Sequence, residues 1–381
     1  MTRDLIGLIV LATLCIMISP LYKGLTNTYL PKKPTKSENV QKPIVHYVDT
    51  KETVKTTNPK KISLLTDSFL PVTYAGSEIS VYETIKYLRM RGHTINVFVN
   101  RHKVDEFDGF PIHKLDMRDP ICASFIESSD IIFYQMHNES LILQEIKNKK
   151  IPIYIFVHGA DSYTWILQNK MPFPIFVVYN SHMTQDLIPS LYDNMRMIPY
   201  VDTAQFKPLR TLTIQNDVVC LINCDKNKGG QLFTNLANKM SDVQFLGIKG
   251  GYGIQVIEKS PPPNLTYMET QKDIKVVFRQ IGILLMPSRV ETWGRAAVEA
   301  MSSGIPVIHS EAAGLVECVS GAGIMMPRDD EDGWMNAIRR ILGDRAYREH
   351  LRQSGFQRVK EIEIEQSRGR QELAYKLEKS S

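Results

Sequence analysis

Two glutamates, Glu291 and Glu299, stand in the segment PSRVETWGRAAVEAMSSGIPVI, residues 287–308. The apolar run before it reads as a strand ending at Pro287, a loop carries Glu291, and a helix begins near Gly294. Gly304-Ile305-Pro306 stops that helix before the next strand. The first N–H groups of such a helix, around Trp293 to Arg295, lack intrahelical partners and sit at the positive end of the helix dipole. They make a site for a diphosphate. Gly294 lets an anion approach the backbone closely. Glu291 can then accept hydrogen bonds from sugar hydroxyls, and Glu299 from a ribose. Two glutamates at this spacing also describe an ordinary solvated helix face; the strand–loop–helix frame is what argues for a ligand.

The elements that must position these residues form two series. In the first, Ile62–Thr66 is a short apolar run, and Ile79, Tyr82, Ile85 and Leu88 recur at helical spacing before Gly92. Ile95–Val99 completes a strand–helix–strand unit, the seed of a parallel sheet. Further strands are expected at Ile131–Gln135, Ile153–Val157 and Ile175–Tyr179, with helices near 139–149 and 182–191. The second series, after Pro208, has expected strands at Val218–Asn223, Val243–Gly247, Leu265–Met268, Gly282–Met286, Pro306–His309 and Gly323–Met326. Helices at about 229–240, 271–280, 294–302 and 332–342 separate them, and the charged tail from Ala346 is helix-prone. The expected fold is α/β, with two doubly wound, Rossmann-like domains at 61–205 and 206–345 facing across a cleft, then a helical tail at 346–381. Ligands collect at the carboxyl ends of such strands.

Composition excludes several classes. At 381 residues with 43% hydrophobic and 23% charged side chains, the chain is of globular type. Its net charge is +5, yet residues 1–61 hold ten Lys+Arg against four Asp+Glu, leaving the rest at −1. No basic body for nucleic acid remains. The five cysteines are sparse and read as buried thiols rather than a zinc site.

Leu5 to Tyr22 runs eighteen residues without a charge, the length of a single-pass membrane anchor; a cleaved signal segment is the alternative for residues 1–22. The lysines that follow lean toward a cytoplasmic body without deciding the side. Residues 23–60, rich in Lys, Thr and Pro, read as a flexible stem.

The Glu291–Glu299 segment resembles the Glu-x7-Glu signature of the family-4 (group 1) retaining glycosyltransferases of the GT-B fold. The resemblance runs over residues ~61–345. TDSFLPVTYAGSE is similar to the family's first glycine loop, IPYVDTAQFKP to its interdomain segment, and NCDKNKGG with VQFLGIKGGYG to the entry of its second domain. Gly314 with Glu317 resembles its late Gly-x-x-Glu.

The resemblance implies that Glu299 holds the donor ribose, that Glu291 holds the donor sugar, and that Lys228 binds the donor diphosphate as a compact cation in place of a metal. Without its Asn223 and Gly229-Gly230 surroundings, Lys228 would read as a solvated loop lysine. His158 matches the histidine beside the reacting sugar carbon, though a strand-end histidine is as often structural; His137 reads as structural. Two departures stand out. Asn223 occupies a position where arginine is usual, so one positive charge is missing, a loss that Arg295 or Arg289 can offset. Ala75-Gly76 stands where two glycines are frequent, and Gly76 keeps the close backbone approach.

No cofactor and no metal are expected. Asp330-Glu331-Asp332 spells Asp-x-Asp but reads as an acidic helix start. Asn138 and Asn264 open glycosylation sequons, meaningful only for a luminal body. The expected function is a membrane-tethered glycosyltransferase moving a sugar from a nucleotide-sugar donor to a hydroxyl of a carbohydrate or lipid-linked acceptor. The competitors are a nucleotide-sugar epimerase or phosphorylase of the same fold, and a non-catalytic tethered sugar-binding protein.

Overall fold

The computed structural model describes residues 55–135, 150–159, 164–207, 216–251 and 253–379. The apolar stretch Leu5–Tyr22, most of the stem, His137, Asn138 and the helix expected near 139–149 lie outside the described residues. Among the described residues no helix is long and apolar enough to cross a membrane.

The first series builds one sheet from β1 (Lys61–Thr66), β2 (Thr94–Val99), β3 (Glu106–Phe107), β4 (Phe110–Lys114), β5 (Ile131–Tyr134), β6 (Ile153–Val157), β7 (Ile175–Tyr179) and β8 (Asn194–Arg196). Their order is β3-β4-β2-β1-β5-β6-β7-β8, parallel except for the β3–β4 hairpin. The helices are α1 (Gly76–Met90), α2 (Pro120–Glu127), α3 (Thr164–Gln168) and α4 (His182–Leu187). β5 and β6 are wholly buried, which is why they read as continuous apolar runs rather than alternating ones. The β3–β4 hairpin and β8 carry charged residues and have no clear period, so no local pattern marks them as strands.

The second series builds a six-stranded sheet from β9 (Val219–Ile222), β10 (Phe245–Ile248), β11 (Leu265–Met268), β12 (Ile283–Met286), β13 (Val307–His309) and β14 (Ile324–Met325). Its order is β11-β10-β9-β12-β13-β14, parallel throughout. Around it lie α5 (Gly230–Lys239), α6 (Lys275–Phe278), α7 (Arg295–Ser302), α8 (Ala313–Val319) and α9 (Glu331–Gly343).

A final helix, α10 (Arg345–Lys379), serves both sheets. Val359 and Ile362 join the core of the second sheet, while Leu373, Ala374 and Leu377 join that of the first. Gly369 allows this crossing, since a Cβ there would stand 2.9 Å from Met197 Cγ. The chain ahead of β1 also runs along this region: Thr56 N–H donates to Arg91 O at 2.8 Å, and Asn58 Nδ2 to Glu378 O at 2.7 Å. The last residues of the expected stem are therefore hydrogen-bonded to the folded body.

Strand order reverses between β1 and β5 in one sheet and between β9 and β12 in the other. At such a reversal the loops leaving neighbouring strands diverge to opposite faces and open a crevice. The loop after β1 leads to Gly76, the loop after β9 carries Lys228, and the loop after β12 carries Glu291.

Candidate active site

Lys228 Nζ donates to Glu291 Oε2 at 2.6 Å, joining the two loops that flank the reversal in the second sheet. Ser288 Oγ lies 3.3 Å from the same oxygen. Close backbone packing sets this meeting. Gly229 has φ +93, and a Cβ there would stand 2.4 Å from Pro287 Cγ. Arg289 N–H donates to Asn227 O at 2.7 Å. On the far side, Gly314 N–H donates to Glu291 O at 3.1 Å, and a Cβ on Gly314 would fall 2.3 Å from that oxygen. Gly314 thus supports the Glu291 loop through its lack of a side chain.

Gly294 caps α7 with φ +119, a left-handed conformation that favours glycine, and no side chain caps the helix. A Cβ at Gly294 would meet Leu315 Cδ2 at 2.7 Å and Cys318 Sγ at 3.6 Å. The glycine is therefore required by backbone conformation and core packing, rather than by ligand approach as its position in the sequence suggested. The uncapped N–H groups still make the amino end of α7 attractive to an anion.

Glu299 is buried on α7, with Arg295 Nε 2.8 Å from its Oε1 one turn away. Burial raises its pKa, and the neighbouring Arg295 offsets that rise only in part. Arg295 also donates to Tyr200 O at 2.6 Å. Its charge is thus paired with Glu299, and one of its donors is spent on the Tyr200 carbonyl.

Asn223 is nearly buried, with φ +67. Its Oδ1 accepts from Asp225 N–H at 3.2 Å and from Gln255 Nε2 at 2.9 Å. Gln255 in turn accepts from Gly250 N–H at 2.8 Å. Asn223 therefore organises two loops through its carbonyl oxygen, leaving the amide nitrogen as its donor.

His158 follows β6, and its Nε2 is 2.8 Å from Gln135 Oε1. With Gln135 as acceptor, Nε2 carries the proton and Nδ1 is the free acceptor. The ring is enclosed by protein although part of the residue reaches the surface, and burial lowers its pKa to about 4. At neutral pH it is an uncharged imidazole. It lines a small pocket with Thr84, Asn180, Tyr200 and Arg370. Its backbone oxygen accepts from Thr292 Oγ1 at 2.8 Å and from Asn180 Nδ2 at 3.3 Å, so the residue after Glu291 touches the His158 loop across the cleft. Glu317 makes a second crossing, accepting from His182 N–H at 2.9 Å at the start of α4.

Gly76 opens α1, and a Cβ there would meet no atom within 4 Å. The N-cap Ala75 makes no side-chain cap. Lys228 and Glu291 thus come together shortly before the start of α7, Asn223 braces the loop that carries Lys228, and His158 is joined to the Glu291 loop through Thr292. Thr292, Gln135 and Gln255 were not legible beforehand. Their partners lie 134, 23 and 32 residues away, and no local pattern marks them.

Among the described residues no group of three His, Cys, Asp or Glu is placed to hold a metal ion. Asp330 caps α9 by accepting from Gly333 N–H at 2.9 Å, and Glu331 binds Asn235 and Lys239, as an acidic helix start should. Asn264 is buried, its Nδ2 within 2.8–3.0 Å of the carbonyls of Ala237, Met240 and Val243. It is an internal brace and is closed to a glycan.

Residues 216–344 match the family described as glycosyl transferases, group 1. An uncharacterised 41.2 kDa protein of the cps region in Klebsiella pneumoniae is 27% identical over 197 residues, which is 50% of this chain and 54% of that protein. A D-inositol 3-phosphate glycosyltransferase of Nocardia farcinica is 32% identical over 129 residues, 31% of this chain and 28% of that one. These matches span about half, or less, of the relatives' length. An Anabaena protein crystallised in complex with UDP-glucose superposes with a TM-score of 0.69 at 17% identity, over 83% of this chain and 100% of that one. The shared architecture is the GT-B fold.

Proposed function

With residues 216–344 a group 1 glycosyl transferase domain set in a GT-B fold, we propose that the chain is a glycosyltransferase. In this reading it moves a sugar from a nucleotide-diphosphate donor to a hydroxyl of a carbohydrate or lipid-linked acceptor, with retention, as in family 4. The observation that carries it is the meeting of Lys228 and Glu291 at the reversal of the second sheet, beside the uncapped start of α7. Lys228 and those N–H groups stabilise the charge that develops on the leaving diphosphate. Glu291 accepts from sugar hydroxyls once Lys228 turns to phosphate, and Glu299 accepts from the ribose. The acceptor oxygen bonds to the anomeric carbon as the carbon–oxygen bond to phosphate breaks. The acceptor proton passes to the leaving phosphate, so no side-chain base is needed, and neutral His158 can accept a hydrogen bond at Nδ1 near the sugar. Lys228 does the work of a metal, and a chelator is expected to leave the rate unchanged. Leu5–Tyr22 serves as a single-pass anchor, supported by its uncharged length.

A melting-temperature screen against UDP-, GDP- and ADP-sugars tests the reading, because a ligand of the folded state alone raises the midpoint. A shift with one donor, followed by transfer to an added acceptor, is the expected result. No shift with any nucleotide sugar would overturn it. Binding without transfer to any acceptor would favour the tethered sugar-binding protein.

A further inference from the structure

Position 223 carries no cation, Arg295 is paired with Glu299, and Arg289 lies in the Glu291 loop with its backbone N–H on Asn227 O. Arg328, in the turn after β14, is bonded to both loops of the site. Its Nε donates to Pro287 O at 3.0 Å, and its Nη2 to Lys226 O at 3.3 Å. Pro287 begins the loop that carries Glu291, and Lys226 lies two residues before Lys228. One guanidinium thus clamps the two loops whose side chains meet as the Lys228–Glu291 pair. Its nearest carboxylate, Asp329, is 3.6 Å away and 96% exposed, so solvent screens that pair and the positive charge persists beside the loops.

We propose that Arg328 is the positioning residue of the diphosphate site, an assignment that rests on the glycosyltransferase reading. Its planar fork holds two carbonyls in fixed relation, which a point cation such as lysine cannot do. It acts through Lys228: by fastening the Lys226 carbonyl to the Pro287 carbonyl it fixes where the ammonium stands relative to Glu291 and the start of α7. Geometry here makes up for part of the charge that an arginine at 223 would bring.

The experiment measures binding of UDP, GDP and ADP, and of the matching monophosphates, to wild type, Arg328→Gln, Arg328→Lys, Lys228→Ala and Lys228→Ala/Arg328→Gln by titration calorimetry. For the nucleoside that binds, both Arg328 variants should lose about tenfold in diphosphate affinity, roughly 1.4 kcal/mol. Monophosphate affinity should stay as in wild type, while the melting temperature of the unliganded protein falls modestly as two carbonyls lose their donor. Arg328→Gln should add nothing to Lys228→Ala, the non-additivity expected of a residue acting through another. Equal diphosphate affinity in wild type and Arg328→Gln, rescue by lysine, or equal loss of mono- and diphosphate affinity would overturn the assignment alone. A wild-type chain that bound none of the probes would overturn the glycosyltransferase reading and this assignment with it.

Discussion

Lys228 Nζ and Glu291 Oε2 stand 2.6 Å apart across two loops separated by 63 residues of chain. The pair holds the ammonium in place and keeps the carboxylate from facing water alone. In the proposed glycosyltransferase reading, an arriving diphosphate competes for the lysine and frees the glutamate for sugar hydroxyls, so donor binding exchanges one ion pair for another.

Removing the lysine therefore costs both stabilisation of the leaving group and the partner of Glu291. Lys228→Ala should lower turnover at saturating donor by on the order of 10²–10³. Initial rates of sugar transfer measure this. A rate within threefold of wild type would remove Lys228 from the mechanism.

Two glycines separate packing from ligand approach. Gly314→Ala places a methyl 2.3 Å from Glu291 O, so backbone must shift; the expected cost is about 1–3 kcal/mol, visible as a lowered urea midpoint. Gly76→Ala meets open space and should leave that midpoint unchanged or slightly raised. Turnover should nevertheless fall about tenfold, as a methyl intrudes where the ligand approaches backbone. Full activity in Gly76→Ala would place Gly76 outside the site.

Burial of His158 makes stability depend on acid. Its folded pKa, about 4, lies below the unfolded value of 6.5. Between these values the unfolded chain takes up a proton that the folded chain does not. The contribution is fully present above pH 6.5 and is lost as pH falls toward 4. His158→Gln should lose less melting temperature than wild type between pH 7 and pH 4.5. Identical losses would mean that the imidazole is protonated in the fold as easily as in water.

Ser181 is the N-cap of α4, and Glu317 on α8 supplements that cap by accepting from the N–H groups of His182 and Met183. Glu317→Ala should cost about 1 kcal/mol, the usual value of a lost cap. Because the cap crosses the cleft, the variant should also widen the range of domain separations seen by small-angle scattering. An unchanged scattering profile would show that other contacts hold the cleft by themselves.

Expressed in a glycosylating host, the folded protein should carry no glycan at Asn264, since its amide nitrogen is spent on internal carbonyls. Asn264→Ala should destabilise by about 2 kcal/mol, from buried acceptors left unpaired. Peptide mass spectrometry and a denaturant titration check the two statements.

The alternating α/β layout, most strands of both sheets and the loops bearing Lys228, Glu291 and Gly76 were legible because hydrophobic runs and helical spacing are local signals. So was the start of α7, where Gly294 precedes a periodic segment. The reason for Gly294 was not: its φ and its contact with Leu315 depend on α8, which had no distinct signal. Nor could the sequence tell that Arg295 is bound by Tyr200 and Glu299, or that Arg328 reaches two loops.

What the chain determines by itself is periodicity and the chemical type of the residues at strand ends, both properties of neighbours along the backbone. The tertiary structure decides which of those ends meet. Parallel sheets bring their carboxyl ends to one edge, and the strand reversals between β1 and β5 and between β9 and β12 choose which loops share a crevice. Glu291 could be nominated from its spacing. That its carboxylate holds Lys228, with Gly314 beneath its carbonyl and Thr292 reaching the His158 loop, follows from contacts between segments far apart in the chain.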